Sequence, residues 1–333
     1  MTPALLESRP EGLYSPAAGV FIDPVRPVAR AVVTHGHADH CRPGSRALLC
    51  TPETAEIARA RFGPDAFGAV QPLRCGEALR VGDATLRLVP AGHVLGSAQV
   101  AIEAGGRRAV VSGDYKRRAD PTCAPFELVP CDLFVTEATF GLPVFRHPPV
   151  EGEIAKLLRA RARAPERAVA VGVYALGKAQ RLIAELRRAG FDEPIHLHGA
   201  LVKLCRLYER LGVPLGQLAD AKATAKEALR GAIALAPPSA LADRWARRLP
   251  DPIVAAASGW MRVRQRAKQR GVELPLIVSD HADWDELTAT IVETGASEVW
   301  VTHGAEEALI HWCATRGIAA RALSLAGREE GGE

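Results

Sequence analysis

The chain has 333 residues, with 42 Lys+Arg, 38 Asp+Glu, ten His, seven Cys and 48% hydrophobic residues, enough for one large domain or two ordinary ones. Charged residues make up 24%, which excludes a mainly disordered chain, and no stretch approaches the roughly 18 uninterrupted apolar residues of a membrane helix. The start, MTPALLESRPEGLYS, lacks a basic segment followed by an apolar one, and the seven cysteines include no C-x-x-C pair, so the expectation is a soluble, cytoplasmic protein with reduced thiols.

The first 150 residues read as short apolar β runs between turns: Val20 to Ile22, Ala31 to Thr34, Thr85 to Val89, Gln99 to Glu103, Arg108 to Ser112 and Leu133 to Thr136. Thr51 to Arg61 opens with Thr-Pro and has helical spacing, so a helix interrupts the strands. From about Val150 the pattern changes. Glu151 to Arg163, Lys178 to Arg188, Leu201 to Leu211 and Ser239 to Arg248 have the spacing of amphipathic helices. Apolar runs lie between them at Ala168 to Val173, Ile233 to Ala236 and Ile253 to Ala257, the alternation of a small α/β unit. The last part returns to strands, Leu276 to Ser279 and Glu298 to Thr302, around a helix at Trp284 to Thr294. The final residues, GREEGGE, read as a frayed end.

Charge follows the same division. Val150 to Pro275 holds 23 Lys+Arg against 12 Asp+Glu, a balance of +11, and the remainder is −7. An acidic part can hold cations and a basic part attracts a polyanion, although Arg-rich helices can also be plain solvated faces.

The strongest chemical signal is T-H-G-H-A-D-H at positions 34 to 40, directly after the strand ARAVV. His35, His37, Asp39 and His40 are four potential ligands on one short turn, where alternate and adjacent residues can serve two neighbouring ions. Imidazole with carboxylate suits Zn²⁺ or Mn²⁺ and is a poor set for Ca²⁺. His93 lies between glycines in AGHVLG. Asp114 ends the strand before SGDY, and its two oxygens could reach different cations. Glu137 ends LFVTE, His281 follows IVSD, and His303 follows WVT. Six His and three acids thus stand at the same kind of strand exit.

In these motifs the chain resembles the metallo-β-lactamase superfamily. The H-x-H-x-D-H loop, His93 and Asp114 are similar to its successive metal motifs. TEATFG with Glu137, SDHADW with His281 and VTHG with His303 resemble the three further motifs of the β-CASP nucleases. YALGKAQRL resembles the cap segment these enzymes use near substrate phosphates. The short length, IDPVRPV before the metal loop and SGWMRVR before His281 look most like the bacterial DNA-ligase-associated exonucleases.

The resemblance implies an αββα sandwich of residues 1–145 and 275–333, with an α/β cap inserted at 146–274. It implies one metal on His35, His37 and His93, a second on Asp39, His40 and His303, and Asp114 between them. Two divalent ions, Zn or alternatively Mn, would clamp a phosphodiester and supply a nucleophile at neutral pH. His281 would be the general acid, oriented by Glu137, with Asp39 also in the catalytic group. Asp23, just upstream, is either a carboxylate supporting a ligand histidine or a turn former before Pro24. Lys178, at a helix start, and Ser258 with Gly259 resemble anion sites for substrate. Arg262, Arg264, Arg266, Lys268 and Arg270 would share one face of a strand but spread around a helix.

The activity expected is a DNA exonuclease in repair, with nucleic acid as partner, DNA favoured over RNA, a functional link to a DNA ligase and no membrane. His303 keeps an RNA-processing nuclease in view, since many Artemis-like DNA nucleases carry Val there. A lactamase-like hydrolase of small thioesters or lactones fits the +11 insert and the Glu137–His281 pair less well, and a catalytically dead binding subunit fits the filled ligand set less well.

Overall fold

The computed structural model describes residues 4–323; the expected frayed end at 327–333 lies outside them. The chain forms two compact units, one running to Arg146 and resuming at His281, the other comprising His147–Asp280.

The first unit begins with β1 (Glu7–Arg9), β2 (Gly12–Ser15), β3 (Val20–Ile22), β4 (Ala31–Val32), β5 (Ala47–Cys50) and, after helix α1 (Pro52–Phe62), β6 (Ala69–Pro72). These six strands make one sheet in chain order, antiparallel up to β3 and parallel thereafter. Thr51 caps α1 by accepting from Thr54 N at 3.2 Å, with Pro52 in the first turn, where its missing N–H costs nothing. A second sheet starts as an antiparallel meander, β7 (Ala78–Val81), β8 (Ala84–Pro90), β9 (Ala98–Ala104) and β10 (Arg107–Val111), to which β11 (Leu133–Ala138) adds in parallel.

The second unit contains α2 (Val150–Arg163), β12 (Val169–Gly172), α3 (Lys178–Arg188), β13 (Ile195–Leu197), α4 (Gly199–Arg210), β14 (Leu218–Asp220), β15 (Ile233–Ala236), β16 (Ile253–Ala257), α5 (Arg264–Gln269) and β17 (Leu274–Leu276). Its sheet is wholly parallel, in the order β14-β13-β15-β12-β16-β17. Every residue of β12, β13 and β15 is buried, which is why β12 and β15 read as unbroken apolar runs.

The chain then returns to the first unit with α6 (Trp284–Thr294), β18 (Glu298–Gly304), α7 (Glu306–Ala314) and β19 (Ala319–Ala322), giving a second sheet ordered β19-β18-β11-β10-β9-β8-β7. Strand alternation sorts its residues into layers. Val100, Ile102, Val111, Val135 and Trp300 join Val20, Ile22 and Val32 of the first sheet in one core. Their neighbours Ala101, Val110, Phe134, Val299 and Val301 face the other way, onto Leu287 and Ile291 of α6 and Leu309 and Cys313 of α7. On the far side, Val33, Leu48 and Cys50 pack against Ala55 and Ala58 of α1. The result is an αββα sandwich with an α/β insert, the architecture expected from the sequence.

Some elements differ from the expectation. Ser239 to Arg248 is two short 3-10 turns, Pro238–Ala242 and Ala246–Arg248, because Asp243 between them is extended and its side chain accepts from Arg244 N. The strand expected at Leu276 to Ser279 is β17, which ends at Leu276. The insert ends six residues later than drawn, since Pro275–Asp280 stays with the second unit. The basic run falls largely on helix α5, and Arg262, Arg264, Arg266, Lys268 and Arg270 are all exposed.

Candidate metal centre

The loops leaving β4, β8 and β10 carry His35, His37, Asp39, His40, His93 and Asp114, while Glu137 and His303 lie near the ends of β11 and β18. Beyond β4, the chain turns tightly at 37–41, with Cys41 N donating to the His37 carbonyl at 2.7 Å. Nδ1 of His37 lies 3.0 Å from Nε2 of His35 and 3.0 Å from Nε2 of His93. A tetrahedral zinc ion with N ligands at about 2.05 Å needs them about 3.3 Å apart, so this triangle is close to a ligand cage. Asp114 completes it: Oδ2 is 3.4 Å from His35 and 3.6 Å from His93. All four donor atoms lie within 4.8 Å of one another.

The other oxygen of Asp114 faces a different set. Oδ1 is 3.3 Å from Nε2 of His40 and 3.9 Å from Nδ1 of His303, and Oδ2 of Asp39 is 3.6 Å from the same His40 nitrogen. His40 Nε2 is buried yet makes no hydrogen bond, which is the state of a nitrogen aimed at a cation. Its Nδ1 lies 2.7 Å from Asp23 Oδ2, so Asp23 is the supporting carboxylate and not only a turn former. Asp23 is held in turn by Thr34, which donates from N to Oδ1 at 2.8 Å and from Oγ1 to Oδ2 at 2.6 Å.

Burial sets the protonation of these candidate ligands. It lowers the pKa of His35 and, more strongly, of His93, leaving neutral imidazoles able to donate a lone pair. At His40 burial acts the same way, but Asp114, Asp23 and Asp39 outweigh it and raise the pKa to about 10. A proton there stands where a divalent cation would. The donor set therefore fits divalent metal in both chemistry and spacing.

Backbone exceptions place two of these groups. His303 has a positive φ of 59°, uncommon outside glycine. It is also the extra residue of a bulge, because Glu137 pairs with Thr302 and Ala138 with Gly304. Unbroken alternation would send His303 to the helix-covered side with Val299 and Val301; the bulge breaks that pattern at the strand end. At Gly113 a side chain would meet Thr34 at 2.7 Å, so only glycine lets the Asp114 turn approach the metal loop.

Beside these groups, Nδ1 of His281 lies 2.8 Å from Oε2 of Glu137 and 3.4 Å from the Thr139 hydroxyl. The His281 ring centroid is 4.7 Å from that of His93. Burial raises the Glu137 carboxyl and the facing imidazole opposes this. Oε1 of Glu137 accepts from Tyr115 N at 2.8 Å, and the Tyr115 carbonyl accepts from Ala282 N at 2.6 Å. One residue's backbone thus ties the loop of Asp114 to both members of the pair. Asp114, Glu137 and His281 also form a third possible ligand group.

The expected anion sites belong to the second unit. Lys178 is turned inward, its Nζ 3.0 Å from Asp280 Oδ2 and donating to the Val278 carbonyl at 2.9 Å, so it has internal partners before any phosphate. Ser258 and Gly259 open a short 3-10 turn in which Ser258 Oγ accepts from Trp260 N. Sequence reasoning missed Lys116, a buried cation that pairs with Asp120 at 2.7 Å and reaches the His93 carbonyl at 3.4 Å. It also missed Thr34 and the Tyr115 backbone. The lysine and threonine sit next to motif residues, but nothing in their identity shows which way they point.

Residues 11–171 match the family model of the beta-lactamase superfamily domain. Over 316 residues, 94% of the chain, it is 29% identical to a protein of Opitutus terrae named "Probable DNA ligase", of which it spans 30%. It is 29% identical over 219 residues to "Ribonuclease TTHA0252" of Thermus thermophilus, covering 55% of the chain and 49% of that protein. It is 24% identical over 209 residues to an "RNase J-like protein" of Methanocaldococcus jannaschii, covering 54% of the chain and 50% of that protein. The chain thus spans half or less of the length of these relatives. A crystal structure of a protein of unknown function from Enterococcus faecalis V583 shares the fold, with a TM-score of 0.59 at 14% identity over 90% of this chain and 80% of that one. Among the described residues no helix is long and apolar enough to cross a membrane.

Proposed function

We propose that this chain, whose residues 11–171 match the beta-lactamase superfamily domain, is a two-metal phosphodiesterase of the metallo-β-lactamase type acting on nucleic acid, a DNA exonuclease of repair. The observation that carries this reading is Asp114, whose two oxygens face two separate sets of imidazoles beside the Glu137–His281 pair. His35, His37 and His93 would hold one ion, and Asp39, His40 and His303 the other, with zinc the best match to the His-rich donors. Bound there, the ions would supply Lewis acidity and a nucleophile at neutral pH.

The protein's own groups do the rest. Asp23 orients His40, and burial keeps His35 and His93 neutral. His281 donates a proton to the departing alkoxide oxygen, and Glu137 holds the ring and favours its charged form. The exposed basic residues of the second unit draw the phosphate backbone. The DNA preference is supported by the Opitutus relative named as a DNA ligase, at 94% coverage of the chain. An RNA substrate is the second reading, favoured by His303 and by the relatives named as ribonucleases.

The test is a metal-dependent assay on end-labelled single-stranded DNA and RNA of the same sequence. Stepwise mononucleotide release from DNA, abolished by chelator and restored by zinc or manganese, is the expected result. Faster cleavage of the RNA would move the second reading to the front, and no cleavage of either would overturn both.

A further inference from the structure

Residues 277–280, between the end of β17 and His281, lie in neither helix nor strand, yet all four are tied down by charged side chains of the second unit. Glu153 accepts from Ile277 N at 2.7 Å. Lys178 donates to the Val278 carbonyl at 2.9 Å, and Arg181 donates to the Ser279 carbonyl. Asp280 closes the group: Oδ2 is 3.0 Å from Lys178 Nζ and Oδ1 is 3.0 Å from Arg181 Nη1. The side chains of Lys178, Arg181 and Asp280 are exposed by 1%, 4% and 5%.

Three charges taken out of water are a costly way to hold a loop. Apolar side chains of similar volume are often as stable or more so. What charged groups add is direction, since each oxygen of Asp280 accepts from one defined cation. The backbone of 277–279 spends its polar groups on these side chains instead of extending the β ladder, which is why β17 stops at Leu276. Asp280 is joined by one peptide bond to His281.

We propose that Asp280, clamped by Lys178 and Arg181, is a positioning residue for His281. This rests on the reading of His281 as the general acid. The clamp fixes the backbone from which the imidazole projects, and displacement by about 1 Å can cost on the order of 10²-fold in rate. The same reading gives Lys178 an internal task in place of a direct contact with substrate phosphate.

The experiment compares wild type, Asp280→Asn, His281→Ala and the double variant, each loaded with zinc. Rates are measured on single-stranded DNA and on bis(p-nitrophenyl) phosphate, whose leaving group needs no proton. Asp280→Asn should lose on the order of 10²-fold in kcat on DNA with metal content and KM little changed, and far less on the activated ester. In the His281→Ala background it should cost almost nothing more, because both changes act through one imidazole. Equal losses on the two substrates, or a full additive loss in the double variant, would overturn the proposal while leaving the general acid in place. An undiminished rate for His281→Ala would overturn the general acid itself, and the proposal with it. If Asp280→Asn does not fold, Arg181→Gln keeps the Lys178–Asp280 pair and should show the same pattern at smaller size; a loss on both substrates alike would count against the proposal there too.

Discussion

Nδ1 of His281 lies 2.8 Å from Oε2 of Glu137, and both side chains are almost wholly buried. The carboxylate is not free to swing, because its other oxygen accepts from Tyr115 N next to Asp114. A buried imidazole held by a fixed carboxylate has its ring orientation and tautomer set by that bond, as a proton donor requires.

The first prediction follows from that pair. His281→Ala should keep its metal and lose roughly 10²–10⁴-fold in rate, the usual range for general acid catalysis. Glu137→Gln keeps the shape but not the charge, so it should lose less and retain its metal. Elemental analysis beside steady-state rates checks both. Metal lost from His281→Ala would instead make the group of Asp114, Glu137 and His281 a ligand set.

The second prediction concerns Asp114. Its burial without a cation would leave a carboxylate among imidazoles, and with cations it faces both sets. Wild type should hold more than one metal per chain after dialysis, and Asp114→Ala should hold less. Asp23→Asn, which leaves the ligands in place, should weaken metal binding by about 10- to 100-fold. Full activity of a metal-free protein in chelator would end the reading.

Much of this centre is legible in the sequence, since the exits of β4, β8 and β10 carry His35, His37, Asp39, His40, His93 and Asp114, and Glu137 stands next to the last residue of β11. His281 is less so, because it follows an irregular segment after β17, a strand of the second unit's sheet. His303 is different. Its aim depends on a bulge and a positive φ, which are backbone properties set by pairing with β11 and not by residue type. Lys178 is a second case: a lysine at a helix start reads as an anion site, and only the Asp280 carboxylate, 102 residues away, turns it inward. Helix α5 is a third, because its alternating basics fit either secondary structure until the turn of Gly259–Arg262 before it is seen.

The third prediction is a pH dependence of metal uptake. In the metal-free protein burial opposes charge on His40, but Asp114, Asp23 and Asp39 raise its pKa from 6.5 to about 10. At neutral pH an entering cation must displace that proton, so binding should release protons and tighten as pH rises toward about 10. The stability of the metal-free fold runs the opposite way. The folded pKa is the higher one, so the contribution is complete below about 6.5 and is lost as pH rises to about 10. Calorimetric titration with zinc in buffers of different ionisation heat, and melting of chelated protein across that range, check both signs. Heats independent of the buffer would refute the proton count.

The last prediction concerns salt. Val150 to Pro275 carries a balance of +11, and Arg262, Arg264, Arg266, Lys268 and Arg270 are all exposed, with the Arg266 guanidinium 4.0 Å over the Trp260 ring. Lys and Arg that neutralise phosphates release counterions, so log affinity for DNA should fall linearly with log salt. Replacing Arg264 and Lys268 with Gln should weaken binding and flatten that slope by about one for each phosphate no longer neutralised, without changing metal content. Lys178→Met should leave the slope as it is, because that ammonium already rests on Asp280 and the Val278 carbonyl. Electrophoretic or anisotropy titrations from low to moderate ionic strength read the slope directly. Binding that ignores salt over that range would count against a nucleic-acid substrate and bring forward a hydrolase of small neutral esters, for which a basic surface has no use.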